Sequence, residues 1–391
     1  MYRVRVREVA AREELRVWLL VWQRGGERES ERERERKMLW VDKHRPKTLD
    51  KLVVHSDLGK KLKSLVNEGS CPHLLFYGPP GAGKKTLLLA TLREIYGAGV
   101  EKLKVECKPW TIERPERNVE VELTTVSSNY HVELTPGDVG NNDRFVVQMI
   151  IKEMAKSRPL DVTGQKSFKV VVLNEVDRLS KSAQHSLRRT MEKYSSGCRL
   201  FLYCNSLSRV TEAVRSRCMC IRVPAPDSEQ VASLLQTVAK KENITLPDVF
   251  SGRIAEQARR NMRTALLSLE TCKVAKYPFE HNQPVEIADW EAYVKEIAAD
   301  MVSEQSPKRI YLIRGKLYEL LVNCIPPDVI LQTLCDSLMA KLDDDLKHEV
   351  VFWAAHYERK LQLGSKPIFH LEAFVAKFMM IYKHFLINMF G

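Results

Sequence analysis

A glycine-rich loop follows the apolar run 74–77 and leads into a helical pattern over 86–96. The loop reads Gly-Pro-Pro-Gly-Ala-Gly-Lys-Lys-Thr and matches G-x-x-x-x-G-K, in which backbone N–H groups surround phosphates and the lysine reaches the β- and γ-phosphates. A strand, this loop and a helix in direct succession are typical of a parallel sheet, with the helix N-terminus facing the phosphates. The nucleotide-binding residues predicted in this loop are Gly78, Pro79, Pro80, Gly81, Ala82, Gly83, Lys84, Lys85 and Thr86.

Both positions that normally hold a magnesium ion in such a site are altered. Lys85 stands where the motif places a Ser or Thr hydroxyl, and Thr86 comes one residue late. The apolar run 170–173 ends in Asn174, where a Walker-B strand normally places a metal-binding aspartate. Asn174 lacks the negative charge that Mg²⁺ prefers, and Lys85 adds an ammonium. We therefore expect the site to bind ATP or ADP with Mg²⁺ weakly held or absent, and to hydrolyse ATP slowly.

The 391-residue chain is too long for one ordinary core and is expected to form three domains after a charged segment. Residues 1–37 are rich in alternating Glu and Arg, and we expect a disordered extension or an upstream start codon assigned in error. Residues 38–222 alternate short apolar strands with helical patterns, which predicts a parallel sheet with helices on both faces. Residues 223–275 contain two or three amphipathic helices, and residues 276–391 are helical throughout.

Charge and cysteine usage set looser limits on function. The formal net charge of +12 is compatible with a polyanionic partner such as nucleic acid, and equally with a basic solvated surface. The nine cysteines are scattered, with no C-x-x-C spacing that would indicate zinc or a disulfide framework. The apolar run 17–22 is too short to span a bilayer, so we expect no membrane segment.

Six short motifs occur in order along residues 38–391. They are Trp40 to Pro46, the glycine loop, Asn174 to Asp177, Ala183-Gln184 with Leu187 to Tyr194, Ser216 to Cys218, and His370 to Lys377. Together they resemble the small subunits of the eukaryotic clamp loader, replication factor C, within the AAA+ ATPases. The resemblance implies a AAA+ domain over 38–222, a helical lid domain over 223–275 and a helical collar for oligomerisation over 276–391.

The resemblance also implies a function and partners. Clamp loaders of this family use ATP to open a sliding clamp and to load it onto primed DNA in DNA replication and repair. The implied partners are the other replication factor C subunits, in a hetero-pentamer, the sliding clamp and primer–template DNA, and the implied location is the nucleus.

Single positions take roles from the same resemblance. Glu175 would polarise the attacking water, Asn205 would be the sensor-1 residue that orients it, and Arg263 would reach the γ-phosphate from the lid domain. Arg217 would act in trans, as an arginine finger in the site of a neighbouring subunit. Each also has an ordinary reading, as a solvated strand end, a turn residue or a surface arginine. The opening motif would pack near the adenine, through Val41 and Arg45.

Contact with DNA is expected through phosphates rather than base edges. The candidates are Arg144, Arg178 and Lys181, near the starts of predicted helices, and each could instead be a plain solvated charge. The segment 138–144 departs from the arginine–glycine pattern of other small subunits, so at least one expected phosphate contact is missing.

Two other classes of function remain open at this point. The chain could be a self-sufficient AAA+ ATPase, such as a remodelling motor or a helicase loader, which the altered Lys85 and Asn174 argue against. It could instead be a scaffold that binds neither nucleotide nor DNA, which the intact Gly78, Gly83 and Lys84 argue against. Whether the chain is itself an enzyme is therefore uncertain, and it is interpreted as an ATPase-family subunit.

Overall fold

The computed structural model describes residues 38–68, 71–112, 119–156, 168–195, 197–280, 283–364 and 366–390. The chain divides into two compact units, with the boundary between Val285 and Glu286. The sheet and the three helices that follow it both belong to the first unit. The expectation for residues 1–37 lies outside the described residues and stays a prediction.

The first unit is built on a seven-stranded mixed sheet. The strands are β1 Leu74–Tyr77, β2 Lys104–Ile112, β3 Val119–Ser127, β4 His131–Leu134, β5 Lys169–Leu173, β6 Cys198–Cys204 and β7 Met219–Arg222. Their order in the sheet is β2-β3-β4-β5-β6-β1-β7. Strands β4, β5, β6, β1 and β7 are mutually parallel, whereas β2, β3 and β4 pair antiparallel. The predicted parallel sheet is confirmed, and the antiparallel β2–β3 hairpin at its edge was not predicted.

Helices cover both faces of this sheet. They are α1 Trp40–Lys43, α2 Ser56–Asn67, α3 Lys84–Tyr96, α4 Asp143–Lys156, α5 Lys181–Lys193 and α6 Glu212–Arg215. Because strand side chains alternate between faces, Leu75 and Val171 pack towards α4 and α5, whereas Leu74 and Val170 pack towards α2 and α3. The central strands are therefore apolar on both sides, as expected for a buried parallel sheet.

Three helices complete the first unit as a small helical domain. They are α7 Ser228–Lys241, α8 Asp248–Gln257 and α9 Met262–Ala275. Their core includes Leu235, Phe250 and Leu269, and it also takes in Trp40 from α1. The Trp40 backbone N–H donates to Glu270 Oε2 at 3.1 Å, and the Lys273 ammonium lies 4.8 Å from the centre of the indole. The opening motif is thus anchored on the small helical domain.

The second unit is entirely helical over its described residues. Its helices are α10 Asp289–Ser303, α11 Pro307–Val322, α12 Pro327–Met339, α13 Asp344–Leu363 and α14 Pro367–Phe390. Each helix buries apolar side chains on one face, and these side chains, such as Val294, Leu317 and Phe374, form the core of the second unit. The α/β, small helical and all-helical classes predicted from the sequence are therefore confirmed. In the part of the chain that the structure describes, no helix is long and apolar enough to cross a membrane.

Candidate nucleotide-binding site

A cavity of about 600 Å³ lies at the carboxyl edge of the sheet, against the small helical domain of the same unit. Ligands of open α/β sheets bind at this edge, because strand ends and helix N-termini meet there. Predicted site residues that line the cavity are Val41, Arg45, Pro80, Gly81, Gly83, Lys84, Lys85, Thr86, Glu175, Asn205 and Arg263. The structure therefore brings the whole predicted nucleotide set together, except for Gly78, Pro79 and Ala82 of the same loop.

Glycine is required at the tip of the loop. Gly81 has a φ of 71°, a conformation that L side chains rarely adopt, and a Cβ there would lie 1.7 Å from Asn261 Oδ1. The Gly81 carbonyl accepts a hydrogen bond from the Met262 backbone N–H at 3.2 Å. Asn261 also caps helix α9 through its side-chain oxygen. The loop and the start of α9 are therefore in direct contact, which places the neighbouring Arg263 on the cavity wall.

Lys84 begins helix α3, and its buried side chain reaches back into the glycine loop. Its ammonium donates to the Gly78 carbonyl at 2.8 Å, to the Pro79 carbonyl at 2.7 Å and to Asn205 Oδ1 at 2.8 Å. Burial lowers the pKa of the Lys84 amine, and the nearby Asp177 carboxylate acts in the opposite direction. Lys84 thus joins the loop after β1 to Asn205 after β6, the residue proposed to orient water.

Lys85 forms an ion pair with Glu133 of β4, a residue that sequence reasoning missed. Glu133 Oε1 also accepts a hydrogen bond from Asn174 Nδ2 at 2.8 Å. The strand ends bring them together, since the Asn174 N–H donates to the Leu134 carbonyl at 3.0 Å and so continues the β4–β5 register. The only signal in the sequence is a carboxylate within the otherwise apolar end of strand β4. The two altered magnesium positions therefore share one carboxylate.

Glu175 is the second residue after β5 and lines the cavity. Its backbone has a φ of 50°, in the left-handed region, and its carboxylate pairs with the Arg178 guanidinium at 3.0 Å. Asp177, which was not singled out from the sequence, accepts from the backbone N–H groups of Asn205 and Ser206, both at 3.2 Å. These contacts connect the ends of β5 and β6 and fix the backbone that carries Asn205.

The opening motif reaches the cavity from the small helical domain. Arg45 pairs with Asp42 at 2.9 Å, and His44 Nε2 lies 2.6 Å from Glu242 Oε1 at the end of α7. Val41 packs against the core of that domain and lines the cavity as well. Val41 and Arg45 therefore line the same cavity as the glycine loop, and their place near the adenine stays a prediction.

Arg217 is not among the residues that line this cavity. It lies between α6 and β7, and its Nε donates to Glu192 Oε1 of α5 at 2.8 Å. Its Nη1 donates to the Ala213 carbonyl at 2.9 Å. Glu192 is exposed, and its hydrogen bond from Arg217 lowers the pKa of its carboxyl group. The guanidinium is therefore held at the surface, away from the chain's own phosphate loop.

The three candidate DNA contacts lie near the N-termini of helices α4 and α5. The buried Asp143 carboxylate connects these two helix starts. Arg144 is in the first turn of α4 and Lys181 begins α5, whereas Arg178 precedes α5 and pairs with Glu175. Asp143 Oδ2 accepts from the Ser180 backbone N–H at 2.7 Å, and Asp143 Oδ1 accepts from the Ser180 hydroxyl at 2.9 Å. The helix starts are fixed relative to each other, which brings the candidates into one region of the first unit.

Three family models match this chain in the order of its parts. Residues 74–224 match the ATPase family associated with various cellular activities, and residues 233–274 match the RCF1/5-like AAA+ ATPase lid domain. Residues 290–386 match the C-terminal domain of replication factor C subunit 3. With the parallel sheet, the glycine loop and the cavity beside the lid, these matches define a AAA+ nucleotide-binding protein.

Full-length relatives give the particular family. Replication factor C subunit 3 of Arabidopsis thaliana is 61% identical over 354 residues, which cover 90% of this chain and 100% of the relative. Replication factor C subunit 5 of Oryza sativa is also 61% identical over the same shares. Replication factor C subunit 3 of Homo sapiens is 52% identical, over 89% of this chain and 97% of the relative. The chain belongs to the family of replication factor C subunits 3 and 5.

Proposed function

We propose that this chain is a nucleotide-binding subunit of the replication factor C clamp loader, which opens a sliding clamp and loads it onto primed DNA. In that role it assembles with the other subunits in a hetero-pentamer, in the nucleus, for DNA replication and repair. The observation that carries this proposal is the phosphate loop, with Gly78, Gly83 and Lys84 intact, beside a lid domain in a chain of this family. The test is to reconstitute the chain with partner subunits, clamp and primer–template DNA, and to measure ATP turnover and clamp loading by the complex.

The chain's own site binds adenine nucleotide but hydrolyses it slowly. Lys84, Arg263 and the loop amides supply the phosphate contacts, and Val41 and Arg45 lie towards the adenine. Glu175 and Asn205 remain in place to polarise and orient water, so the weak point is the magnesium site at Lys85 and Asn174. The alternative function is a self-sufficient ATPase. The retained Glu175 favours that alternative, whereas the altered residues at the magnesium site argue against it. Turnover by the isolated chain of about 1 s⁻¹ or more, an ordinary enzyme rate, would support the alternative.

Arg217 acts on the nucleotide of a neighbouring subunit. Its support is its place outside the chain's own cavity, with a guanidinium that Glu192 and the Ala213 carbonyl hold at the surface. A fixed guanidinium offsets charge that develops on a transferred phosphoryl group, an effect of about 10³–10⁵ in rate for known arginine fingers.

Two single substitutions distinguish the role of the chain's own nucleotide site from the role of Arg217 in a neighbouring site. Lys84→Ala changes the chain's own site and should cost little of the complex's ATP turnover, whereas Arg217→Ala should lower that turnover by tenfold or more and stop clamp loading. Arg209→Ala removes the same charge from an exposed turn nearby and serves as the control. Equal large losses from Lys84→Ala and Arg217→Ala would mean that the own site is catalytic, and no loss from Arg217→Ala would refute the finger.

Duplex DNA is bound through its phosphates by Arg144, Arg178 and Lys181. The support is their position at two helix starts joined by the Asp143–Ser180 contacts, since helix N-termini favour anions. Each alanine variant should weaken binding of the complex to primed DNA of any sequence and should lower the dependence of affinity on salt by about one phosphate contact. An unchanged salt dependence in all three variants would rule these residues out.

A further inference from the structure

Lys85 occupies the position where a magnesium-binding hydroxyl is usual, and its ammonium has a counter-ion. Glu133, which pairs with the Lys85 ammonium, is only 5% exposed. The same carboxylate oxygen accepts from Asn174 Nδ2, and Asn174 Nδ2 also donates to Thr135 Oγ1 at 3.2 Å. The Asn174 side-chain oxygen consequently points elsewhere, and it has no hydrogen-bond partner among the described residues.

These residues do not fit a magnesium ion. Mg²⁺ needs oxygen ligands in a near-ideal octahedron, and it is usually held by one or two carboxylates together with phosphates. Here an ammonium and an amide N–H₂ group stand at the two protein positions, and the one carboxylate between them is already shared by both donors. An aspartate at 174 would set a second carboxylate against Glu133. Asn174 therefore suits the Lys85–Glu133 pair rather than a metal.

We propose that the Lys85 ammonium takes the place of the magnesium ion, so that the chain binds the phosphates of an adenine nucleotide without a divalent cation. This inference rests on the proposed nucleotide-binding function. Lys85 lines the cavity, its side chain is 37% exposed, and an ammonium has three N–H donors, of which Glu133 occupies one and no other described residue takes a second. Two donors remain for phosphate oxygens. Glu133 is a positioning residue, which holds the ammonium at the cavity and balances its charge.

The test is the affinity of the full chain for ADP and for ATP, measured by calorimetry in EDTA and in Mg²⁺. We expect the two dissociation constants of each nucleotide to agree within about threefold. Replacing both charged partners, Lys85→Thr with Glu133→Gln, should weaken binding in EDTA at least about tenfold, the loss expected for a charge-assisted hydrogen bond. Mg²⁺ should then recover part of that loss, since the loop regains a hydroxyl at the usual position.

The paired substitution is used because Lys85→Thr alone would leave a buried carboxylate without its cation, which can prevent folding. Lys85→Gln with Glu133→Gln is a second variant, because it removes both charges together while the two amides can still form a hydrogen bond, and it should show the same loss in EDTA. Lys61→Thr removes an exposed lysine of α2 that does not line the cavity, and it should bind as the unchanged chain does.

The outcomes separate the two proposals. A tenfold or greater loss of affinity of the unchanged chain in EDTA would overturn the metal-free site and leave the nucleotide-binding function intact. Binding by the Lys85 variants as tight as that of the unchanged chain in EDTA would also overturn it, because Lys85 would then supply nothing. An unchanged chain that binds neither nucleotide in either buffer would refute both.

Discussion

At the scale of single residues, the strand that carries Glu133 begins with a histidine of unusual environment. His131 is fully buried, and its Nδ1 lies 2.7 Å from the Ser128 hydroxyl, whereas Nε2 has no hydrogen-bond partner among the described residues. Burial lowers the pKa of His131 to about 4, and the Glu133 carboxylate acts in the opposite direction. The folded protein therefore keeps this imidazole neutral at a pH where an unfolded chain would protonate it.

That difference predicts a pH dependence of stability. The folded pKa of about 4 lies below the unfolded value of 6.5, so the unfolded state binds the proton more readily. The contribution of His131 to stability is complete above about pH 6.5 and falls as the pH drops towards 4, by about 2 kcal/mol between pH 7 and pH 5. Urea titrations at the two pH values should show this fall. In His131→Asn the fall should be smaller by about that amount, with a remainder from His55 and His73, whose pKa values burial also lowers. His185→Asn, at an exposed position of α5, should retain the full fall.

Residues whose role follows from their own chemistry could be predicted, and residues whose role follows from a partner could not. Gly81 and Lys84 belong to a contiguous motif, so their spacing alone indicates a phosphate loop. Glu133 stands 48 residues from Lys85 and 41 from Asn174. It meets Asn174 because β4 pairs with β5 in one register, and it meets Lys85 because helix α3 begins beside the same edge of the sheet. The one local signal, a carboxylate within the otherwise apolar end of β4, does not indicate which residues it contacts.

At the scale of elements, helix α5 is tied to the loops that end β5 and β6 through one buried glutamine. Gln184 Nε2 donates to the Leu179 carbonyl and to the Arg209 carbonyl, both at 3.2 Å. Its Oε1 accepts from the Thr211 backbone N–H at 2.8 Å. One side chain thus satisfies backbone groups on both sides of the helix, including the residue that precedes α6.

Gln184→Ala should destabilise the first unit by about 2 kcal/mol, because it removes the hydrogen bonds of a buried side chain to the Thr211 N–H and to two carbonyls. The free energy of unfolding in urea measures this change. Gln257→Ala, at the exposed end of α8, is the control and should stay within about 0.5 kcal/mol of the unchanged chain. A loss from Gln184→Ala no larger than that of the control would show that water replaces these hydrogen bonds.

Elements with strong periodicity could also be predicted, whereas the edge of the sheet was missed. The run 74–77 is strand β1 with the same bounds, and the helix expected over 86–96 begins only two residues earlier, at Lys84. The hairpin of β2 and β3 escaped notice, because an edge strand needs no continuous apolar run. Residues 119–123 alternate apolar and polar side chains, which is a signal of a half-buried strand that could have indicated β3.

At the scale of the whole molecule, each compact unit has a core of its own. The first unit has apolar cores on both faces of its sheet and another within the small helical domain. The second unit has one helical core and also exposes large apolar side chains, among them Tyr311, Val322 and Phe352. Tyr311, Tyr318 and Val322 lie at helical spacing on α11 and so share one exposed face, which is typical of a surface that meets another protein.

The second unit should therefore be the part that joins the partner subunits, and its removal should leave nucleotide binding intact. A fragment of residues 38–285 keeps the glycine loop, the lid helices and their cores, so we expect a soluble protein that binds ADP within about threefold of the full chain. The same fragment should fail to co-purify with the other subunits, whereas residues 38–391 should assemble. Stable co-purification of the fragment would place the assembly surface in the first unit, since that is all the fragment contains.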